Sequence, residues 1–329
     1  MGASQFFSFA GSLLNNGEKN KLNLHISKSS SIFVAMKKDI VIIGLGVIAH
    51  YHVAALRQSE RFRLCGLCDI LPQTAEDELF RGVPFFTDYT TMLSKLHPDY
   101  ALIATPPATH YAIAKQCIEQ GVTPIVEKPL SDTAEQGMQF FSSALRGRYI
   151  AVCHTLYGEE VLWFISHLPM TNVTAIYTEL YDPYCAPDGQ ILERFRPLGG
   201  CWLDSAPNAL APLLTHVPEL TQIHVSHQRD QYGMPFASHL TATAGAATIE
   251  MRIAWNKGIN YKRTRIEADG KEILLEHSKQ AVYVDDHLLF QATTDRLTQQ
   301  YANFYRLFPK RVPTEQSLKY IYEIIYSNL

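Results

Sequence analysis

Lys38-Asp39-Ile40-Val41-Ile42-Ile43-Gly44-Leu45-Gly46-Val47-Ile48-Ala49-His50 is the stretch on which the fold turns. Its unbroken apolar run, without polar alternation, reads as a strand buried on both faces, as in parallel sheets. The run ends in Gly44-x-Gly46-x-x-Ala49, and a helix follows through about Gln58 with Ala54, Ala55 and Leu56 on its packing face. Gly44 permits the tight turn, Gly46 lets a backbone approach a pyrophosphate, and Ala49 keeps helix and strand close. A glycine pair alone is a weak signal; a strand before it and a helix after it supply the context. Phosphates would sit at the helix start, on the N–H groups around Val47, Ile48 and Ala49, where the helix dipole favours anions.

Arg63–Cys68 reads as a second apolar strand that stops at Asp69, about twenty residues past the loop. An acid there accepts hydrogen bonds from ribose hydroxyls and repels a 2′-phosphate; simple capping of the next turn is the competing reading. Ile70-Leu71-Pro72-Gln73 offers no Arg or Lys, so NAD is favoured over NADP. The pattern continues with a helix from Leu71-Pro72 to about Phe80, a strand at Asp99–Ala104, and Thr105-Pro106-Pro107 leading to a helix at Tyr111–Gln120. A strand at Val122–Val126 then delivers Glu127-Lys128-Pro129, before a helix at Ser131–Leu145 and a strand at Tyr149–Cys153. This alternation predicts a Rossmann-type, doubly wound parallel sheet over residues 36–153.

From His154 the rhythm changes. Val173–Leu180, His239–Thr243, Ala246–Ile253, Thr264–Glu267, Glu272–Glu276 and Ala281–Val284 read as strands with few helices between them, and Asp269-Gly270 and Asp285-Asp286 as hairpin turns. Residues 154–329 are therefore expected to form an α+β domain with an open-faced, largely antiparallel sheet, closed by an apolar helix at Thr314–Tyr326. Residues 1–35 are Ser/Asn/Lys-rich with one acid, Glu18, and are expected to be a disordered tail or an artefact of start-site choice. No basic region precedes Phe6–Leu14, which argues against a signal peptide, and Phe6 stands where a myristoylation motif wants Ser or Thr.

The balance of 29 Lys+Arg against 32 Asp+Glu gives no basic excess for a nucleic-acid surface. No apolar run approaches the roughly eighteen residues of a membrane span. The six cysteines are scattered, which favours reduced thiols in the cytoplasm. Cys65-Gly-Leu-Cys68 has redox spacing but falls inside an apolar strand, so buried structural thiols are expected, and no cluster has metal-ligand spacing.

Gly44-x-Gly46-x-x-Ala49 with His52, then Ala104-Thr105-Pro106-Pro107-Ala108-Thr109-His110, then Glu127-Lys128-Pro129, resembles the glucose–fructose oxidoreductase/inositol dehydrogenase (Gfo/Idh/MocA) superfamily. The resemblance implies a cofactor lying over the first domain, held by Gly44, Gly46, Val47, Ile48, Ala49, Asp69, Thr105, Pro106, His110, Glu127 and Lys128, with the nicotinamide facing the open sheet of the second. It implies that Lys128 reaches the hydroxyl being oxidised. Asp204 matches the family's Asp, but Asn208 replaces the His four residues later, and Ser205-Ala206-Pro207 departs from the usual Pro-Gly-Ile. That pattern is similar to the aldose (L-arabinose and D-galactose) 1-dehydrogenase branch, in which His154 and Glu179 would contact the sugar.

Oxidising a hydroxyl needs a base near it, and an amide such as Asn208 cannot serve. Lys128 can, if burial and the charged nicotinamide lower its pKa; Asp204, which opposes that shift, would orient it or share the proton. His110 is expected to pack near the nicotinamide rather than transfer protons. The expected activity is NAD-dependent oxidation of a free aldose at its anomeric carbon, by a homo-dimer or homo-tetramer without metal, nucleic acid or membrane. The alternatives are oxidation at another carbon of a sugar or inositol, and a non-catalytic dinucleotide-binding regulator.

Overall fold

A computed structural model describes residues 36–72, 77–142, 144–217, 219–308 and 313–329. The expectation for residues 1–35 lies outside these, as does Gln73. The first sheet is made of β1 (Lys38–Ile43), β2 (Phe62–Cys68), β3 (Phe85–Phe86), β4 (Tyr100–Ile103), β5 (Thr123–Val126) and β6 (Ile150–Ala151). All its pairings are parallel, in the spatial order β3-β2-β1-β4-β5-β6. That is the doubly wound order, whose ligand crevice opens at the C-terminal ends of β1 and β4, where the winding reverses. Ile40, Val41 and Ile42 are fully buried, as the unbroken apolar run requires.

The helices of this domain are α1 (Val47–Arg57), α2 (Tyr89–Leu96), α3 (His110–Glu119) and α4 (Ala134–Gln139). One expected helix is shorter than the pattern predicts: Ser131–Leu145 contracts to the Thr133-capped α4. The helix expected at Leu71–Phe80 lies partly outside the described residues; its end, Glu78–Phe80, is a 3₁₀ turn. Burial pushes the Cys65 thiol up to about 11 and that of Cys68 to about 12, so neither is a reactive thiolate.

The second sheet contains β7 (Val173–Tyr181), β8 (Thr221–Arg229), β9 (Pro235–Ala244), β10 (Ala247–Ala254), β11 (Tyr261–Ala268), β12 (Lys271–Glu276), β13 (Ala281–Val284) and β14 (His287–Gln291), in the order β14-β13-β12-β11-β7-β10-β9-β8. It is antiparallel except for β7 against β10. The two expected hairpin turns form, with Asp269, Gly270, Asp285 and Asp286 all at positive φ.

One face of this sheet is covered. Between α5 (Glu159–His167) and β8 runs α6 (Cys201–Leu213), which packs on β7, β9 and β10 and is buried at nearly every position. Gly199 and Gly200 enter it at positive φ, and a Cβ on Gly200 would sit 2.8 Å from the Pro235 carbonyl oxygen. Along β7, Ile176, Thr178 and Leu180 are buried beneath these helices, while Tyr177, Glu179 and Tyr181 lie half-buried on the opposite, open face. Two helices then return to the first domain. In α7 (Arg296–Leu307), Tyr301 and Tyr305 pack on His52 of α1. In α8 (Glu315–Tyr326), the Tyr322 hydroxyl accepts from Leu130 N–H, and Tyr326 accepts from Ser131 N–H and donates to its carbonyl.

Candidate active site

The glycine loop is shaped for a diphosphate. Gly44, at φ 90°, lies against the Ala104–Thr105 backbone so closely that a Cβ would sit 2.7 Å from it. At Gly46 a Cβ would meet nothing within 4 Å, so the glycine leaves open space at the start of α1. That helix begins with no side-chain cap and no acid in its first turn, which leaves its positive end to an external anion. Asp69 accepts from Leu45 N–H at 2.8 Å and from Leu71 N–H at 3.0 Å. It therefore braces the loop, and the turn-capping reading is part of its role. Val47 and Ile70, 75% and 83% exposed, put apolar surface on the rim where flat rings would rest. The donor set and the open cradle fit a dinucleotide.

At the C-terminal end of β5 the chain delivers Glu127 inward and Lys128 into the crevice. Glu127 accepts from Tyr301 Oη at 3.0 Å and from its neighbour's N–H at 3.0 Å, and is 2.8 Å from His52 Nε2, whose other nitrogen lies 2.7 Å from Tyr305 Oη. Burial alone would raise the Glu127 pKa, but the hydrogen bond and charge of His52, with the charge of Lys128, hold it at about 2. This carboxylate fixes the backbone that carries Lys128.

Lys128 Nζ donates to Asp204 Oδ1 at 2.5 Å and to the Asp204 carbonyl at 3.1 Å. The two side chains are 14% and 9% exposed. Burial pulls the Lys128 pKa down, yet Asp204, Glu127 and Asp182 more than offset it, and the net shift is upward. The expectation of a depressed lysine pKa is corrected: with these carboxylates around it, Lys128 is an ammonium ion-paired to Asp204.

One helical turn beyond Asp204, Asn208 lines a small pocket together with Thr155, Lys262, Arg296, Gln300 and the His277–Glu160 pair, with Leu180, Ala209 and Pro212 supplying apolar wall. The Thr155 hydroxyl donates to the Asn208 carbonyl, tying the start of the second domain to α6. Asn208 therefore shares the face of α6 that carries Asp204.

Three other expectations shift. Glu179 lies across the sheet from this pocket, held by Tyr181 Oη and Arg263 Nε, because alternation along β7 sends it opposite to Thr178 and Leu180. His154 is 6% exposed and stacks on Tyr301, with burial pushing its pKa down to about 3 and its Nδ1 unpartnered. It belongs to the packed layer behind Lys128. His110, 1% exposed, sets its ring nitrogens 2.8 and 2.9 Å from the carbonyls of Thr105 and Pro129, and in the neutral form that burial favours it donates to one of them. It joins the two loops that frame the crevice rather than facing it. The covered face of the second sheet, not its open one, adjoins the site.

Sequence reasoning missed Lys262, Arg296, Gln300, Glu160 and His277. A local signal existed only for α7, where Asp295 caps the Thr298 N–H, placing Arg296 and Gln300 one turn apart on a helix. Lys262 is paired to Asp182, a contact between residues 80 positions apart.

Comparisons with known proteins agree with this architecture. Residues 38–149 match the GFO_IDH_MocA model, described as an oxidoreductase family with an NAD-binding Rossmann fold. A curated relative, the uncharacterized oxidoreductase YfiI of Bacillus subtilis (strain 168), is 31% identical over 153 residues, which are 42% of this chain and 39% of that protein's length. Among solved structures, a myo-inositol dehydrogenase from Corynebacterium glutamicum ATCC 13032 is similar at TM-score 0.71 and 13% identity, over 88% of this chain and 95% of that one. An inositol dehydrogenase homolog complexed with NAD+ from Azotobacter vinelandii reaches TM-score 0.74 at 14% identity, covering 90% and 95%. UDP-N-acetylglucosamine 3-dehydrogenase GnnA from Acidithiobacillus ferrooxidans reaches 0.70 at 16%, covering 89% and 96%. At these identities the structures speak for the fold; the family match, together with the glycine loop and the strand order, makes residues 38–149 an NAD-binding Rossmann fold similar to that of the Gfo/Idh/MocA oxidoreductases.

Proposed function

We propose that the protein is an NAD-dependent dehydrogenase of a polyhydroxylated, sugar-like substrate, with a preference for the anomeric carbon of a free aldose. The observation that carries the reading is the buried Lys128–Asp204 pair at the end of β5, beside a pocket of hydrogen-bonding side chains. Gly44, Gly46 and the N–H groups from Val47 to Ala49 would hold the diphosphate, Asp69 the adenosine ribose, and Thr105 and Pro106 the crevice wall. Bound NAD supplies the hydride acceptor. The chain supplies the rest.

The hydroxyl proton passes to Lys128 as Lys128 gives its own to Asp204, so that the pair takes up one proton and the C–H hydrogen leaves as hydride. Because Lys128 rests as an ammonium, this relay suits a hydroxyl that is already acidic. The anomeric hydroxyl is one, since the ring oxygen withdraws electron density from it. Asn208 would hold that hydroxyl or the ring oxygen. Gln300 Oε1 and Glu160 Oε2, buried without partners, call for donors that substrate hydroxyls would provide.

The test is a panel of free aldoses, polyols and methyl glycosides with NAD, followed by absorbance of the reduced nicotinamide. The free aldose should yield a lactone and its methyl glycoside nothing. Turnover of the methyl glycoside at a comparable rate would move the chemistry to another carbon. That second reading is favoured by similar structures named as an inositol and a sugar 3-dehydrogenase. Asp69→Ser should raise the KM for NAD and improve relative use of NADP roughly tenfold, since a carboxylate that repels the 2′-phosphate is removed. An unchanged cofactor ratio would mean that Asp69 acts only as the brace of the loop.

A further inference from the structure

Two cations line the pocket beyond Asn208, Lys262 and Arg296, and their situations differ from each other and from that of Lys128 outside it. Lys128 is neutralised by Asp204, and Lys262, 8% exposed, by Asp182. Glu160 is engaged at Oε1 by His277. Arg296 lines the same pocket, yet no described carboxylate lies within ion-pair distance of it; its neighbour Asp295 is occupied in capping the Thr298 N–H at 2.9 Å. One turn further along α7, Gln300 lines the same pocket, 1% exposed and with its Oε1 unpartnered. The lining thus contains one guanidinium without a described carboxylate partner and two buried acceptors without a donor, Gln300 Oε1 and Glu160 Oε2.

From this we infer that the substrate is a sugar acid, a polyhydroxylated molecule whose own carboxylate pairs with Arg296 while its hydroxyls donate to Gln300 and Glu160. The inference rests on the reading of the site as one for a polyhydroxylated substrate. A guanidinium presents two parallel N–H groups that match a carboxylate fork. Charge selects carboxylate over phosphate: one unpaired cation beside the carboxylates of Glu160 and Asp182 balances a single negative charge, whereas a dianion would meet repulsion. Arg296 lines the pocket and Lys128 does not, which sets the carboxylate away from the hydroxyl that is oxidised.

The experiment titrates the NADH-loaded full chain calorimetrically with D-glucuronate and D-galacturonate, each against its neutral aldose and against the aldose 6-phosphate, and assays the same compounds with NAD. At least one uronate should bind on the order of 10- to 100-fold more tightly than its aldose. Arg296→Gln should erase that ratio, and Arg296→Lys should keep part of it. Equal binding of acid and aldose by the wild type, binding of none of them, tighter binding of the phosphate, or an unchanged ratio in Arg296→Gln overturns the inference. Arg296-dependent uronate binding without NADH formation upholds it and sinks the dehydrogenase reading instead. Turnover of neutral aldoses with no preference for uronates does the reverse.

Discussion

Lys128→Met is expected to lower kcat by on the order of 10³-fold while leaving NADH binding, read by fluorescence titration, within about a factor of two. The magnitude follows from the loss of a positioned proton-transfer group. Cofactor binding survives because the glycine loop and Asp69 share no side-chain contact with Lys128. Removing Lys128 also leaves the buried Asp204 carboxylate without its ion-pair partner, a change that costs roughly 3–5 kcal/mol in other buried pairs, so melting temperature should fall as well. Lys128→Arg separates the two roles. It keeps the charge facing Asp204 but cannot release a proton near neutral pH. Recovery of stability without recovery of turnover is the expected result. Near-wild-type kcat in the Arg variant would mean that only the charge matters and that the relay through Lys128 does not operate.

The second large effect is acid instability. His154 is buried and His216 half-buried, both neutral, with pKa values pushed by desolvation to about 3 and about 4. In the unfolded chain both would protonate near 6.5. Below that pH the unfolded state therefore binds more protons, and stability falls as pH falls, until the folded-state values are passed. At pH 4.5 the two histidines together cost on the order of 5 kcal/mol, comparable to the whole stability of many domains. Glu127 extends the loss: its carboxylate, held at about 2, contributes stability that is present above the ordinary carboxylate range and lost as pH drops through that range towards 2. Urea melts at pH 7, 5.5 and 4.5 should show the decline. His154→Phe, which keeps a ring against Tyr301, should reduce the slope between pH 6 and 4 by nearly one proton. An unchanged slope would show that His154 does not resist protonation in the folded protein.

The first domain was legible because its signals are local: an unbroken apolar run, a glycine turn and an acid at a strand end each report on a few neighbouring residues. The Lys128–Asp204 contact spans 76 positions, and only the family resemblance brought the two together on the sequence. The helix α6 was not readable, since Pro207 and Pro212 each remove a backbone donor and argue against a helix; burial against β7, β9 and β10 overrides that propensity. Glu179 was misplaced for a simpler reason. Period two places it opposite Thr178 and Leu180, but which face meets the crevice is decided by α6 and is written nowhere in β7 itself. Arg296 and Gln300 were invisible as a site because their pocket partners, Glu160 and Lys262, come from other elements.

The docking of α8 has a consequence for the order of assembly. Leu130 and Ser131, just past Lys128, are held by tyrosines 192 and 195 positions further along, and Trp202, two residues before Asp204, donates its indole N–H to the Ile325 carbonyl at 3.0 Å. The same late helix therefore grips both sides of the ion pair. During synthesis the glycine loop and its parallel sheet can form early, but Lys128 and Asp204 cannot be set in register until α8 has been made and has docked. Such non-local closure is slow relative to the local steps before it. A nascent chain would thus acquire its nucleotide site well before its proton relay, and dinucleotide bound at that stage would hold a domain that cannot yet turn over.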